Sequence, residues 1–141
     1  MTSNHSDRQI KIGDIYLIKF EGGGSVQKGL RPGLVFQNNT GNKYSPNLIM
    51  LPLTTQLKKV DQPTHVVIPA EGTGLKRDSM VLCENPECIA KERLGAYITT
   101  ISDKYMKMVA AAHLVATSAI SFIDPEMFNS LWEQASQLNG V

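Results

Sequence analysis

The sequence predicts an α+β fold: a small, strongly bent antiparallel sheet of barrel type, then a C-terminal helix and an additional short terminal helix. Two patterns favour this class. Short apolar segments rich in β-branched residues alternate with glycine- and proline-containing turns, and helical periodicity begins only after about residue 101. With 141 residues, 42% of them hydrophobic, the chain is long enough to bury the core of one domain.

Apolar segments bounded by turn-forming residues are predicted to be strands: residues 14–20, 33–37, 48–53, 65–68, 80–83 and 97–101. Pro32 lacks a backbone donor, so we place it at the start of the second strand; Pro52 marks a bulge or an edge in the third. Residues 38–46 are rich in Asn, Gly, Ser and Pro and are predicted to form a loop. Residues 84–87 interrupt the fifth strand.

Two helices are predicted after residue 101. Ser102 is the expected N-cap of the first, whose apolar face continues to about Ile120. Asp124 followed by Pro125 is typical of a second helix start. Apolar residues then recur at helical spacing: Met127, Phe128, Leu131, Trp132, Ala135 and Leu138. We expect this stripe to pack on the body of the protein or on a second subunit; the alternative is that it binds a separate partner protein.

The composition argues against a membrane protein and against a metal site. No apolar run approaches ~18 residues, so no transmembrane helix is expected, and the polar N-terminus has no signal-peptide core. Cys83 and Cys88 are expected to be ordinary buried thiols, which suits a reducing cytoplasm. Because no His/Cys ligand set accompanies them, neither a metal nor another cofactor is predicted.

Positive charge is concentrated in one stretch of the chain. Residues 22–60 contain no Asp or Glu, although the formal net charge of the whole chain is only +1. The basic residues of this stretch are Lys28, Arg31, Lys43, Lys58 and Lys59. Such a local excess suits a polyanion better than it suits an acidic small molecule or a membrane surface.

Arg31 and Thr54 stand at matching ends of two predicted strands. If these strands pair as an antiparallel hairpin, the start of one lies beside the end of the other. Both side chains would then reach a single phosphate. A planar guanidinium binds two phosphate oxygens, and a hydroxyl can donate to the same group. Since a guanidinium is a poor base, we expect Arg31 to act electrostatically.

Several motifs carry a family resemblance. GSVQKGLRP (24–32) precedes QNNTGNKYSP (37–46) and a strand ending in Thr54, and PTHVVI, GLKRDSMVLCE and KERLG follow. In this order the segments resemble the MazF/PemK family of toxin endoribonucleases, over about residues 12–120. The resemblance implies an SH3-like barrel with a terminal helix, a homodimer, and metal-independent cleavage of single-stranded RNA. It also implies a neutralising antitoxin that inserts into the substrate groove.

The resemblance divides the chain and assigns residues. It implies a polar tail at 1–11, the toxin domain at 12–120 and a helical extension at 121–141. Arg31 matches the catalytic arginine of the family and Thr54 its catalytic threonine. Ser25 and Gln27 match loop residues that touch the substrate, and residues 38–46 match one wall of the RNA groove. The candidate substrate-binding residues are Ser25, Gln27, Lys28, Asn38, Asn42, Lys43, Ser45, His65 and Glu84.

One departure from the family pattern follows Glu84. Relatives commonly have a Gln and a basic residue after this glutamate, whereas here Asn85, Pro86 and Glu87 follow. An acidic side chain thus stands where a phosphate or base contact is expected. The departure bears on the RNA sequence recognised more than on the chemistry. His65 could act as a base, but a structural histidine with satisfied hydrogen bonds is the favoured interpretation.

Two other classes of function stay open. One is a non-enzymatic toxin of the same fold, similar to CcdB, which binds DNA gyrase through its terminal helix. The other is a nucleic-acid-binding homologue without catalysis, which the acidic Glu87 keeps open. Arg31 together with Thr54 and the acid-free stretch favours the endoribonuclease, because a gyrase binder needs neither a basic groove nor that pair.

Overall fold

The computed structural model describes residues 8–20 and 29–140. In chain order its strands are β1 Asp14–Phe20, β2 Gly29–Val35, β3 Asn47–Thr54, β4 His65–Ile68, β5 Ser79–Leu82, β6 Glu87–Ala90 and β7 Leu94–Thr100. Its α-helices are α1 Asn39–Tyr44, α2 Asp103–Ala116 and α3 Phe128–Asn139, and a 3₁₀ turn, Lys91–Arg93, joins β6 to β7.

The strands form one antiparallel sheet in the order β4-β5-β3-β2-β1-β7, with β6 also paired to β3. The outer edge of β3 changes partner along its length: residues 47–50 pair with β6, and Leu53 and Thr54 pair with β5. No ladder among the described strands joins β4 to β7, so the sheet is not closed. The predicted α+β class, with its antiparallel sheet and C-terminal helix, is confirmed, but the barrel is open.

The sheet separates two apolar clusters, because successive side chains of a strand point to opposite faces. One face carries a cluster that includes Ile15, Leu34 and Leu51, and α2 covers it with Val109 and Ala112. The other face carries a second cluster, made of Tyr16, Ile18, Val35, Leu48, Met50, Ile89 and Leu94. We call this second side the Tyr16 face. The candidate site lies there.

Strand boundaries differ from the predictions where prolines and turns dominate the sequence. β1 and β4 have their predicted bounds. β2 starts earlier, at Gly29, because its pairing with β1 continues to that residue, so Pro32 lies inside the strand and not at its start. Pro52 lies inside β3, opposite Gly33.

Strand β6 is absent from the sequence-based prediction, which interprets residues 84–87 as a break and not as the turn between two strands. This strand also corrects the expectation for the cysteines. Cys83 is buried, but Cys88 is exposed on β6, opposite the exposed Ile49 of β3. Only one of the two expected buried thiols is therefore buried.

A short helix occupies part of the predicted loop 38–46. Asn38 caps α1, since its Oδ1 accepts a hydrogen bond of 2.8 Å from the N–H of Gly41. Asn39 and Asn42 are buried and bond to one another at 3.1 Å. Asparagine and glycine disfavour helix interiors, so composition alone predicted a loop. The local side-chain bonds stabilise the single turn.

The C-terminal segment is helical, as predicted, but its boundaries shift. α2 ends at Ala116, since Ser118 adopts a left-handed conformation with φ of 57°. Asp124 caps a 3₁₀ turn, and α3 begins after it, at Phe128. Every residue of α3 is exposed. Its apolar stripe does not pack on the body of this chain, so the expected contact with a second subunit, or with a separate partner, stays a prediction.

Three hydrogen bonds attach the end of α3 to α1. Asn39 donates its backbone N–H to Asn139 Oδ1 at 3.0 Å and its Nδ2 to Asn139 O at 3.2 Å. The Thr40 hydroxyl donates to Leu138 O at 2.8 Å. The last two of these bonds satisfy backbone carbonyls that a helix end leaves without intrahelical partners. Within the described ranges, no helix has the length and apolar character needed to span a membrane.

Candidate active site

Arg31 and Thr54 lie on neighbouring antiparallel strands, β2 and β3. The register places Gly33 opposite Pro52, Leu34 opposite Leu51 and Val35 opposite Met50. Each step moves one residue forward on one strand and one back on the other. The ladder ends at Gly33 and Pro52, and two further steps would set Arg31 opposite Thr54. The antiparallel pairing expected from the sequence is confirmed, and the proximity of the two side chains stays a prediction.

Both residues belong to the Tyr16 face. Arg31 alternates with Gly33 and Val35 along β2, and Thr54 alternates with Met50 along β3, so their side chains share the side of the sheet that holds Val35 and Met50. Arg31 is exposed and Thr54 half-buried. A basic group and a hydroxyl thus lie at the open end of an apolar sheet face.

Arg31 lines a cavity of about 30 Å³. Its charged neighbours in this cavity are Glu87 and Arg93, and its apolar neighbours are Ile18, Pro32 and Pro52. Glu87 belongs to the same face because it pairs with Met50 across β3 and β6. Arg93 is held at the start of β7 by a 3.1 Å bond from its Nε to Lys19 O. Two cations and one carboxylate therefore surround a narrow opening.

The Thr54 hydroxyl is oriented by its own backbone. Its Oγ1 accepts a hydrogen bond of 3.1 Å from the N–H of Gln56. A hydroxyl has one proton to donate and two lone pairs to accept with. With one lone pair engaged by the backbone, the proton remains available to a ligand on the Tyr16 face. This arrangement suits a donor to a phosphate oxygen.

The side-chain amides of the α1 segment form hydrogen bonds within that segment. Asn38 caps α1, and Asn42 donates to Gln37 O at 2.8 Å while its Oδ1 accepts from Gln37 Nε2 at 3.2 Å. Ser45 ends the helix, and its Oγ accepts from Asn47 N at 3.1 Å. Lys43 alone among these candidates presents an exposed charge. Asn38, Asn42 and Ser45 therefore stabilise the conformation of the segment.

His65 and Glu84 form a pair at the end of the β4–β5 hairpin. His65 Nε2 lies 3.0 Å from Glu84 Oε2, and Nδ1 lies 3.0 Å from Lys59 O. Each ring nitrogen therefore has a hydrogen-bond partner within the protein, a carboxylate oxygen on one side and a backbone carbonyl on the other. Desolvation opposes the charge of Glu84, but its own backbone N–H and His65 outweigh it and hold the pKa of that carboxyl below its usual value.

Both ring nitrogens of His65 already have hydrogen-bond partners within the protein. The ring is also nearly buried, with 8% of the side chain exposed. These contacts favour the structural interpretation of His65, in which it ties the hairpin to the segment that follows Thr54.

Three candidates, Ser25, Gln27 and Lys28, lie outside the described residues, and their roles stay predictions. Two residues outside the list of candidate site residues, Glu87 and Arg93, line the cavity with Arg31. The departure from the family pattern drew attention to Glu87, whereas the only sequence signal for Arg93 was charge beside a strand. Across residues 8–20 and 29–140, no group of three or more His, Cys, Asp or Glu side chains could hold a metal ion.

Residues 11–115 match the sequence model of a family described as PemK-like, MazF-like toxins of type II toxin–antitoxin systems. The chain is 40% identical over 114 residues to Endoribonuclease EndoA of Bacillus subtilis, a match that spans 80% of this chain and 98% of that protein. It is 43% identical over 101 residues to Endoribonuclease MazF of Staphylococcus saprophyticus, spanning 71% of this chain and 84% of that protein.

The fold also matches solved structures. One of them is an endoribonuclease in complex with its cognate antitoxin from a mycobacterial species. The TM-score is 0.65 at 24% sequence identity, with 77% of this chain and 95% of that chain covered. At this level of identity the similarity establishes the fold alone, and the curated relatives establish the family.

Proposed function

Because the chain belongs to the family of PemK-like, MazF-like toxins of type II toxin–antitoxin systems, we propose that it is a sequence-specific endoribonuclease. It cleaves single-stranded RNA, including mRNA, without a metal ion. The observation that carries the proposal is the antiparallel pairing of β2 with β3, whose register, continued two residues beyond Gly33 and Pro52, would set Arg31 opposite Thr54. Curated relatives named endoribonucleases support the same reaction class.

The proposed reaction is an in-line attack of a 2′-hydroxyl on the adjacent phosphorus. The new 2′ O–P bond forms as the P–O5′ bond breaks, and the 2′-hydroxyl loses its proton while the departing 5′-oxygen gains one. Arg31 offsets the charge that builds up on the non-bridging oxygens, with its fork engaging two of them. The Thr54 hydroxyl donates to the same phosphoryl group. The products carry a 2′,3′-cyclic phosphate and a 5′-hydroxyl.

The partners follow from the same family membership. The protein acts as a homodimer in the cytoplasm and is neutralised by a cognate antitoxin, which competes with RNA for the basic groove. A solved relative in complex with its antitoxin supports this partner class. The toxin domain occupies residues 12–120, with a tail before it and the helical extension after it.

A substrate with one modified sugar tests the reaction. An RNA with a 2′-deoxy substitution at the cleaved nucleotide is expected to resist the enzyme, because the nucleophile is missing. The unmodified RNA should be cleaved equally well in EDTA, with a cyclic phosphate at one product end by mass spectrometry. Cleavage of the deoxy substrate, or a requirement for magnesium, would indicate a water nucleophile. Binding without any cleavage would favour the non-catalytic homologue, and no RNA binding would favour the gyrase-binding class.

Glu87 is expected to limit the affinity of the site for RNA. It lines the Arg31 cavity, where a phosphate would meet its carboxylate. Glu87→Arg should therefore tighten RNA binding about fivefold, comparable to one exposed charge contact. The gain should shrink as salt rises, because phosphate contacts release counterions. Titrations with an uncleaved RNA at several salt concentrations measure both effects.

The matched control is Glu71→Arg, which makes the same change of charge on an exposed residue of the β4–β5 connection. It should leave affinity close to that of the wild type. If Glu87 instead reads a cytosine amine, Glu87→Arg will change which sequences are cut with little general gain in affinity. Mapping cleavage sites on one long RNA separates the two roles. Unchanged affinity and unchanged sites would place Glu87 outside the groove.

A further inference from the structure

A second cavity, of about 390 Å³, opens between residues 8–10, α1 and the 3₁₀ turn before β7. Three cations line it, Arg8, Lys43 and Lys91, against one carboxylate, Glu92; its other lining residues are uncharged. We call it the basic cavity. Each cation comes from a different segment of the chain, so the fold, and not one run of sequence, assembles this charge.

Arg8 is fixed in place before any ligand arrives. Its Nη2 lies 3.0 Å from Asp14 Oδ1 and 3.3 Å from Thr100 Oγ1, and its Cζ lies 3.7 Å from the centre of the Tyr97 ring. Asp14 is fully buried, whereas 38% of the Arg8 side chain is exposed. A guanidinium held on an aromatic ring loses little side-chain entropy on binding an anion.

A lysine links the two segments that form the opposite wall of the basic cavity. Lys91 Nζ donates to Lys43 O at 3.4 Å, which links the 3₁₀ turn to the end of α1. Asn42 contributes an amide that is already engaged inside α1. The cavity is thus open and lined mainly by charged and amide residues, unlike the enclosed, mostly apolar pockets that hold small molecules.

The basic cavity and the Arg31 cavity share one structural element. The 3₁₀ turn contributes Lys91 to the first and Arg93 to the second. Ile10, which lines the basic cavity, packs on the apolar cluster of the Tyr16 face, where Arg31 also lies. The two cavities are therefore connected through the 3₁₀ turn, and Ile10 joins one of them to the apolar cluster of the Tyr16 face.

We propose that the basic cavity binds a backbone phosphate of the same RNA strand, outside the nucleotides around the cleaved bond. The inference rests on the proposed endoribonuclease function. Contacts of this kind anchor and position a strand without reading its sequence. The cavity therefore raises affinity for long RNA and contributes nothing to the choice of cleavage sequence.

Substitutions at Lys91 test the proposal with two substrates. One is a long RNA with a single cleavage site, and the other is a short RNA limited to the nucleotides around that site. Lys91→Gln should weaken binding of the long RNA about three- to tenfold and lower the slope of log K against log salt by about 0.7. Lys91→Glu should weaken it further, and Lys91→Arg should restore it. Affinity for the short RNA should not change.

Lys107→Gln is the matched control, because Lys107 is an exposed lysine of α2 paired only with Asp103 at 3.3 Å. Wild-type affinity and salt slope for Lys91→Glu on the long RNA would overturn the proposal. An equal loss on both RNAs, or a loss of turnover with unchanged affinity, would also overturn it, since Lys91 would then act at the cleaved bond. A wild-type protein that cleaves neither RNA would instead refute the endoribonuclease function.

Discussion

Arg31→Ala is expected to lower kcat for RNA cleavage by about 10²- to 10³-fold, which corresponds to the loss of one charged transition-state contact. The reason is the position of Arg31, which is exposed and lines a cavity together with Glu87 and Arg93. Because the residue faces the cavity and not the core, the variant should fold normally. Single-turnover cleavage of a matched RNA, with circular dichroism as the check on folding, measures the effect.

Two further variants separate charge from geometry. Arg31→Lys should also be poor, since an ammonium cannot reproduce the bidentate fork. Arg77→Ala removes an exposed arginine that lines a different, largely apolar cavity and should retain activity. A folded Arg31→Ala protein that cleaves RNA at close to the wild-type rate would remove Arg31 from the mechanism.

Thr54→Val, which keeps the shape and removes the hydroxyl, should have a smaller effect than Arg31→Ala. The hydroxyl supplies a neutral hydrogen bond, whereas the guanidinium supplies a charge-assisted one. If both residues contact one phosphoryl group, the two losses will not add in the double variant, because residues that act as a unit show non-additive effects. Strict additivity would argue for separate roles.

The strands most visible in the sequence are those with continuous apolar or alternating composition. β1 and β4 have their predicted bounds because their side chains alone mark both ends. β6 could not be predicted, since its carboxylate and exposed cysteine become a strand only by pairing with β3, about 40 residues earlier in the chain. α1 was missed because its stability comes from asparagine side chains and not from helix propensity.

The candidate site shows the same difference between what a local sequence pattern predicts and what depends on tertiary structure. The antiparallel pairing of the two strands that carry Arg31 and Thr54 is a local relation that a hairpin rule captures. Glu87 and Arg93 enter the cavity through β6 and the turn after it, so their proximity to Arg31 depends on tertiary structure. Arg8 and Lys91 are further apart in sequence still, and no local pattern relates them.

Asp14→Ala is expected to lower the free energy of unfolding by about 3 kcal/mol, which is a large effect for the loss of one buried carboxylate. Asp14 is fully buried, and its oxygens accept from Arg8 Nη2 at 3.0 Å, Thr100 Oγ1 at 2.7 Å and the Lys11 N–H at 2.9 Å. Removal of the carboxylate takes away one acceptor from each of these donors, although Arg8 and Thr100 keep their contacts with one another and with Tyr97. Because Arg8 is partly exposed, water can hydrogen-bond to its guanidinium in place of the carboxylate. The expected loss of stability is therefore at the lower end of the range for buried ion pairs.

Urea unfolding measures the loss, and two variants bracket it. Asp14→Asn keeps one acceptor oxygen and should lose less. Asp103→Ala removes the acid of an exposed pair with Lys107 and should change stability by less than about 0.5 kcal/mol. A loss below 1 kcal/mol for Asp14→Ala would mean that the burial of the carboxylate already offsets its hydrogen bonds. Since Asp14 holds Arg8 at the basic cavity, the folded Asp14→Asn variant should also lose affinity for the long RNA. Its loss of affinity for the short RNA should be smaller.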